Sequence, residues 1–139
     1  MAKIIFDSEA MKVMSLFETL TQAKLKDCIL EHDHVIFIVQ ENEIGKAIGK
    51  QGSNVKRLEK ALNRKIKIVE FNSQLLNFIK SLVYPARIAD IQEQDGIVTI
   101  QAPDMKTRGL LIGRNASNLR NYEKIAQRYF PALNEIKVR

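Results

Sequence analysis

The sequence predicts an α+β protein that is built from two similar units in tandem. Segments with apolar residues at helical spacing alternate with short segments rich in β-branched residues. One stretch of the first half recurs in the second half at an offset of 64 residues. No segment rich in proline, serine or glycine separates the halves, so we expect the two units to pack without a linker.

The first half contains the elements of one complete unit. Met11, Met14 and Phe17 recur at helical spacing and predict a helix over 8–21. The elements predicted after it are strands over 26–30 and 35–40, a short helix over 42–48, a glycine loop at 49–52, a helix over 53–62 and a strand over 66–71. We assign residues 1–71 to the first domain.

The second half repeats this order. A turn signal, EQDG at residues 93–96, separates its two predicted strands. The predicted elements are a helix over 75–82, strands over 88–92 and 97–102, a helix over 104–112, a loop at 113–116, a helix over 118–129 that Pro131 ends, and a strand over 136–138. We assign residues 72–139 to the second domain.

The repeat is densest around the glycine loop. Residues 48–60, IGKQGSNVKRLEK, align with residues 112–124, IGRNASNLRNYEK, and six of the thirteen positions are identical. Gly45 and Gly109 also align. A match of this density indicates an internal duplication.

Basic residues are concentrated in two blocks. The chain has 22 Lys and Arg against 16 Asp and Glu, a net charge of +6. Residues 44–67 hold eight basic residues and one acidic residue, and residues 106–128 hold six and one. Each block contains one predicted loop, and the rest of the chain is acidic on balance. This distribution favours an anionic partner at the loops.

The composition also restricts where the protein acts. The lone Cys28 rules out an internal disulfide framework and fits a reducing compartment. The longest apolar run, VIFIV at residues 35–39, is too short to cross a membrane, and the N-terminal segment is unlike a signal peptide. We therefore expect a cytoplasmic protein without a membrane partner.

The first loop has the features of a phosphate site. Its glycines, Gly49 and Gly52, let the backbone turn sharply and let a ligand approach closely. The N–H groups of the loop and of the helix that follows form an anion site, to which Lys46, Lys50 and Lys56 add positive charge. Such a site positions a nucleic-acid strand without reading its bases.

The same glycines do not fit a nucleotide-hydrolysing or hydride-transferring enzyme. A P-loop needs four residues between its glycine and Gly-Lys-Ser/Thr, whereas three separate Gly45 from Gly49, and Gln51 follows Lys50. The dinucleotide fingerprint follows a strand, but this loop lies between predicted helices.

No catalytic or metal-binding constellation is recognisable elsewhere. Cys28, His32 and His34 lie at one hairpin but lack the fourth partner of a structural zinc site. No grouping of Ser, His and Asp and no paired carboxylates stand out. We expect no enzyme activity, no metal, no cofactor and no small-molecule substrate.

The stretch IGKQGSNVKRLEKAL resembles the GxxG signature of the KH family, whose loop clamps about four nucleotides of single-stranded RNA. Two strands before each loop resemble the prokaryotic, type II KH arrangement. Two such units without a linker resemble the KH pair of the NusA transcription elongation and termination factors, most closely the short archaeal NusA-like proteins. The resemblance implies two tandem type II KH domains that bind single-stranded RNA in elongation or termination. RNA polymerase stays open as a second partner.

The resemblance also implies which residues bind RNA. Ile48, Val55, Ile66 and Ile68 are expected to line an apolar groove for bases. The candidate contacts are Lys46, Ile48, Gly49, Lys50, Gln51, Gly52, Ser53, Asn54, Val55 and Lys56 in the first copy, and Gly113, Arg114, Asn115, Ala116, Ser117, Asn118 and Arg120 in the second.

The second loop departs from the family pattern because Ala116 replaces its final glycine. If that position is left-handed, alanine costs about 1–2 kcal/mol. We expect the second loop to bind RNA more weakly or to follow a different path.

Two other functions remain open from the sequence. The chain could be a scaffold whose KH folds hold two proteins together without RNA affinity, or an RNA-binding factor of ribosome assembly. Substitution of Lys50 and Gln51 by Asp separates the classes, because a scaffold should keep its protein partner and an RNA binder should lose RNA.

Overall fold

The computed structural model describes residues 8–139, which divide into two compact units, 8–72 and 73–139. Both units have the same order of elements, and the predicted α+β class is confirmed. The first unit consists of α1 (Ser8–Thr21), β1 (Leu25–Leu30), β2 (His34–Val39), α2 (Ile44–Ile48), a 3-10 turn (Lys50–Gly52), α3 (Ser53–Leu62) and β3 (Lys65–Glu70). The second unit consists of α4 (Leu75–Val83), β4 (Asp90–Gln94), β5 (Ile97–Gln101), α5 (Met105–Ile112), a 3-10 turn (Arg114–Ala116), α6 (Ser117–Gln127) and β6 (Glu135–Val138).

The first sheet has the order β1-β2-β3, with β1 antiparallel and β3 parallel to the central strand. Residues 35–39 of the central strand are all buried. Helices of the unit contact the two outer strands, α1 at β1 and α2 and α3 at β3. The rings of Phe17 and Phe37 stack with centroids 4.2 Å apart. The buried core of this unit comprises Val13, Phe17, Ala23, Cys28, Val35, Phe37, Val39, Ala47 and Leu58.

The second sheet repeats this topology in the order β4-β5-β6. Its first two strands are joined by Asp95 and Gly96, which have φ of 53° and 80°, as a tight hairpin turn requires. Phe78 on α4 lies edge-on to Tyr129 at 5.5 Å and packs beside Phe130 at 5.7 Å.

Most predicted boundaries are correct within one or two residues. The prediction of β4 over 88–92 was displaced, because Asp95 and Gly96 alone form the turn and Gln94 still pairs with Ile97. The last helix ends at Gln127 rather than at residue 129. There the Gln127 side chain donates to the carbonyl of Leu133 and stabilises the turn that leads into β6.

No helix within residues 8–139 is both long enough and apolar enough to cross a membrane.

Candidate nucleic-acid interface

Each glycine loop joins two helices that lie on the third strand of its sheet. In the first unit α2 and α3 contact β3, and in the second unit α5 and α6 contact β6. Gly49 ends α2, and the next helix begins at Ser53 after the 3-10 turn. Gly113 and Ser117 have the same places in the second unit. The duplication therefore extends from sequence to local structure.

The two loops have nearly the same backbone dihedral angles. Gly49 has φ 76° and ψ 173°, and Gly113 has φ 75° and ψ 178°. The third loop residue is left-handed in both units, with φ 54° and ψ 31° at Gln51 and φ 55° and ψ 32° at Asn115. The main-chain N–H groups of the two loops are consequently presented in the same way.

Ala116 adopts the conformation of the glycine that it replaces. Gly52 has φ 73° and ψ 18°, and Ala116 has φ 61° and ψ 23°. A Cβ on Gly52 would meet no atom within 4 Å, so this position has room for a methyl group and only its φ disfavours one. The second loop therefore follows the same path as the first and carries a strain of about 1–2 kcal/mol.

The first glycine of each loop is required for two reasons. Its φ is positive, and a Cβ would collide with an asparagine of the next helix. The distance from that Cβ to the nearest side-chain atoms would be 2.9 Å at Gly49, where Asn54 and the Ser53 hydroxyl are the neighbours, and 2.7 Å at Gly113, where Asn118 is the neighbour. Such distances are shorter than real Cβ contacts, so no other residue fits without displacement.

Asn54 and Asn118, which the sequence placed among the RNA contacts, use their side-chain amides for hydrogen bonds to the main chain. Asn54 Nδ2 donates to the carbonyl of Lys46 at 3.0 Å. Asn118 Nδ2 donates to the carbonyl of Leu110 at 2.8 Å. These bonds join the helix after each loop to the helix before it.

Several predicted cationic side chains are free to meet an anion. Lys50, Lys56 and Arg114 are exposed, and none of them pairs with a carboxylate in the described part of the chain. Two of these residues belong to the first loop region, and Arg114 lies in the second loop. Positive charge is therefore available beside both loops.

Two other predicted cations already have acidic partners. Lys46 Nζ lies 3.4 Å from Glu43 Oε2, and Arg120 lies 3.1 Å from Glu123. Glu43 also accepts the backbone N–H of Lys24 at 2.7 Å, and this bond lowers the pKa of its carboxyl. Sequence reasoning overlooked Glu43 because only the fold brings residue 24 beside it.

The remaining candidates differ in exposure. Ser53 and Ser117 are exposed, whereas Val55, Ile66 and Ile68 are half-buried, the two isoleucines packing against the core of the first unit. Ile48 is more exposed than these three apolar residues. The four residues predicted to line a groove lie on α2, α3 and β3, which contact one another, and their grouping into a groove stays a prediction.

The second unit exposes apolar side chains on the helix before its loop. Met105 is 78% exposed and Leu110 is 60% exposed. At the repeat offset, Leu110 aligns with Lys46, so the second loop lacks one cation that the first has. The alignment of the two copies in the sequence already contains this difference between Lys46 and Leu110.

Comparisons with known proteins identify the family. The KH domain matches residues 13–80 of the chain. The "Probable transcription termination protein NusA" of Methanocaldococcus jannaschii is 30% identical, over 99% of this chain and 76% of its own length. The protein of the same name from Halobacterium salinarum is 30% identical, over 91% of this chain and 93% of its own length. The chain belongs to the archaeal NusA family.

A solved structure shares the fold over both units. The crystal structure of APE1850 superposes with a TM-score of 0.74 at 27% identity and covers 96% of this chain and 100% of its own. The resemblance to the NusA factors that the sequence predicted is confirmed by the relatives named above.

Proposed function

We propose that this NusA family member binds single-stranded RNA through two type II KH domains, residues 1–71 and 72–139, and acts in transcription termination or elongation. The matching backbone paths of the two loops carry the proposal. The identical order of elements in the two units supports a KH assignment for the second as well as the first. The names of the relatives support the role in transcription.

Binding is expected to be directed at the RNA backbone. The N–H groups of Gly49, Gly52 and Ser53, and of their counterparts in the second loop, already donate to main-chain carbonyls. Those of the middle residues of each loop and of the helix turn that follows suit phosphate oxygens. Lys50, Lys56 and Arg114 add exposed positive charge around them. Because these donors meet phosphates, they hold the strand in register without reading its sequence, and the apolar groove is left to contact bases.

Two further glycines support an external ligand on the helices before the loops. Gly45 in α2 and Gly109 in α5 have no positive φ, and a Cβ on either would meet nothing within 4 Å. Glycine inside a helix is less favourable than alanine by about 1 kcal/mol. The described residues give no reason for glycine at either position. Close approach of a ligand would be a reason for glycine, because even one methyl group would keep the ligand away from the helix.

The first loop is expected to bind more tightly than the second. Ala116 strains the second loop. Among the predicted cations in the described part of the chain, Lys50 and Lys56 lack a carboxylate partner beside the first loop, and Arg114 alone does so beside the second, because Arg120 is paired with Glu123. The first loop is therefore the stronger RNA-binding site and the second loop the weaker one. The proposed role assigns no catalytic step to either loop.

The experiment that tests this proposal is a salt series of affinities for a mixed set of single-stranded RNA oligonucleotides. We expect wild-type binding that weakens with salt and is lost in Gly52→Asp, which places a carboxylate in the phosphate site. Ser15→Asp is the matched control, because it adds the same charge on the exposed part of α1. Absence of binding at low salt, or binding unchanged in Gly52→Asp, would contradict the proposal and favour a protein scaffold.

RNA polymerase is the second partner that a role in termination implies. We expect the protein to co-purify with polymerase from a transcribing extract. The protein could co-purify through direct contact with polymerase or through RNA that binds both. Nuclease treatment distinguishes these cases, because it removes an association bridged by RNA and leaves a direct contact intact.

A further inference from the structure

We propose that Asn54 and Asn118 are positioning residues that hold the two loops in their RNA-binding conformation, and that the second loop depends on its asparagine more than the first does. This inference rests on the proposed RNA binding of the loops, but the effect of each asparagine on the loop conformation can be tested without RNA.

Each asparagine closes its loop by a hydrogen bond. The amide lies on the first turn of the helix after the loop and donates to a main-chain carbonyl of the helix before it, eight residues earlier in both units. The bond therefore spans the loop and ties its two ends together. A tie of this kind restricts the loop without occupying any of the N–H groups that face outwards.

The same side chains also restrict the first glycine of each loop. Asn54 and Asn118 approach so closely that a Cβ on that glycine would lie 2.9 Å and 2.7 Å away, respectively. The hydrogen bond holds the asparagine in place, and the close packing of the asparagine against the glycine restricts the dihedral angles of the glycine. The following loop residues start from this fixed point, since Gly52 and Ala116 donate to the carbonyls of Gly49 and Gly113.

The two loops differ in how much they need this restraint. Gly52 adopts a left-handed conformation about as readily as a right-handed one, so the first loop keeps its shape at little expense. Ala116 prefers the right-handed region and stays left-handed only where its surroundings enforce it. The two hydrogen bonds have similar lengths, 2.8 Å for Asn118 and 3.0 Å for Asn54, so the difference between the loops comes from the residue at position 52 or 116.

The structural test uses the full chain without RNA. Backbone ¹³C chemical shifts at positions 52 and 116 report whether each residue is left-handed. We expect Asn118→Ala to remove the left-handed shifts at residue 116, and Asn54→Ala to leave those at residue 52 largely unchanged. Asn121→Ala is the matched control, because it makes the same change in α6 without touching the loop bond.

Two double variants show whether the asparagines position the loops or only stabilise the fold. Adding Ala116→Gly to Asn118→Ala should restore the left-handed conformation, and adding Gly52→Ala to Asn54→Ala should abolish it in the first loop. A loss of stability that is unrelated to the loop would not be reversed by placing glycine at residue 116.

The binding test follows the amide signals of each loop during titration with a mixed-sequence RNA decamer. Asn118→Ala should weaken binding at the second loop by about threefold to tenfold, as expected for one hydrogen bond. Asn54→Ala should weaken binding at the first loop less, and Ala116→Gly should reverse most of the loss in Asn118→Ala. Thermal unfolding of every variant close to that of Asn121→Ala shows that the fold is intact.

The outcomes separate this inference from the proposed function. Unchanged shifts at residue 116 in Asn118→Ala, or a loss that Ala116→Gly does not reverse, would overturn the positioning role. If the shifts change as expected while the wild-type chain binds no RNA, the positioning role stands and the proposed function fails.

Discussion

Gly49, Gly52 and Gly45 are glycines for three different physical reasons. Gly49 has a positive φ and side chains where a Cβ would lie, Gly52 has only the positive φ, and Gly45 has neither. The first two positions are explained within the protein. The proposed RNA ligand would explain the third, so one short stretch of sequence would combine requirements of folding and of binding.

An alanine series tests this ranking. Gly49→Ala should lower the free energy of unfolding by about 2–4 kcal/mol, because φ strain and overpacking add. Gly52→Ala should lower it by about 1–2 kcal/mol, from φ strain alone. Urea unfolding measures both. Equal losses in the two variants would show that Asn54 yields to a Cβ without penalty.

Gly45→Ala and Gly109→Ala should separate stability from binding. Alanine is the better helix former by up to about 1 kcal/mol, so we expect unchanged or higher stability in urea. RNA affinity should fall in both variants, because a methyl group would obstruct close approach of the strand. Unaltered RNA affinity in both would remove these glycines from the binding surface.

At the scale of elements, the helices and strands were largely predictable and the direction of particular side chains was not. The helical spacing of Met11, Met14 and Phe17 predicted the bounds of α1 correctly. The face that α1 buries is nevertheless formed by Ala10, Val13, Phe17 and Thr21, and Met11 is 62% exposed. β4 is an edge strand with four of its five residues exposed, so no alternating pattern marked its bounds. The hydrogen bond of Asn54 depends on a carbonyl that only the packing of α2 against α3 brings near.

Capping of α5 is a property of that element with a defined pH dependence. Asp104 accepts the N–H of Thr107 at 2.6 Å, and this bond lowers the pKa of the Asp104 carboxyl below its ordinary value. A carboxyl whose pKa is lower in the folded state stabilises the fold fully above its unfolded pKa. The contribution is lost as pH falls through the folded pKa, that is, below about pH 4.

We therefore expect Asp104→Ala to lower the melting temperature of the protein near neutral pH. The difference from wild type should shrink on acidification below about pH 4. Asp104→Asn is the control, since it keeps an acceptor for the Thr107 N–H but does not titrate. A difference between wild type and Asp104→Ala that persists undiminished to low pH would show that the carboxylate charge is irrelevant to the cap.

For the molecule as a whole, the placement of charge is expected to matter more than its total. The net charge is +6, yet the free cations that concern RNA are few and lie beside the loops. Cations elsewhere on the surface attract RNA only through the general field, which salt screens. Those at the loops displace counterions from phosphates when RNA binds.

Two double variants with the same net charge test this distinction. Lys50→Gln with Arg114→Gln should reduce the slope of log affinity against log salt by about 0.7 for each phosphate that the protein no longer neutralises. Lys12→Gln with Lys80→Gln removes two exposed cations from α1 and α4 and should leave the slope nearly unchanged. Equal slopes in the two double variants would mean that only net charge matters.

The parallel strand pairs have a consequence for the order of folding. β2 ends at Val39 and its parallel partner begins only at Lys65, so the first glycine loop lies inside the crossover between them. Hairpins close quickly, whereas pairing between strands distant in sequence is slow. The β1-β2 hairpin is therefore expected to form first, and docking of β3 then immobilises the loop helices. On the ribosome, the first loop of a nascent chain is therefore expected to become able to bind RNA only after synthesis has passed Glu70.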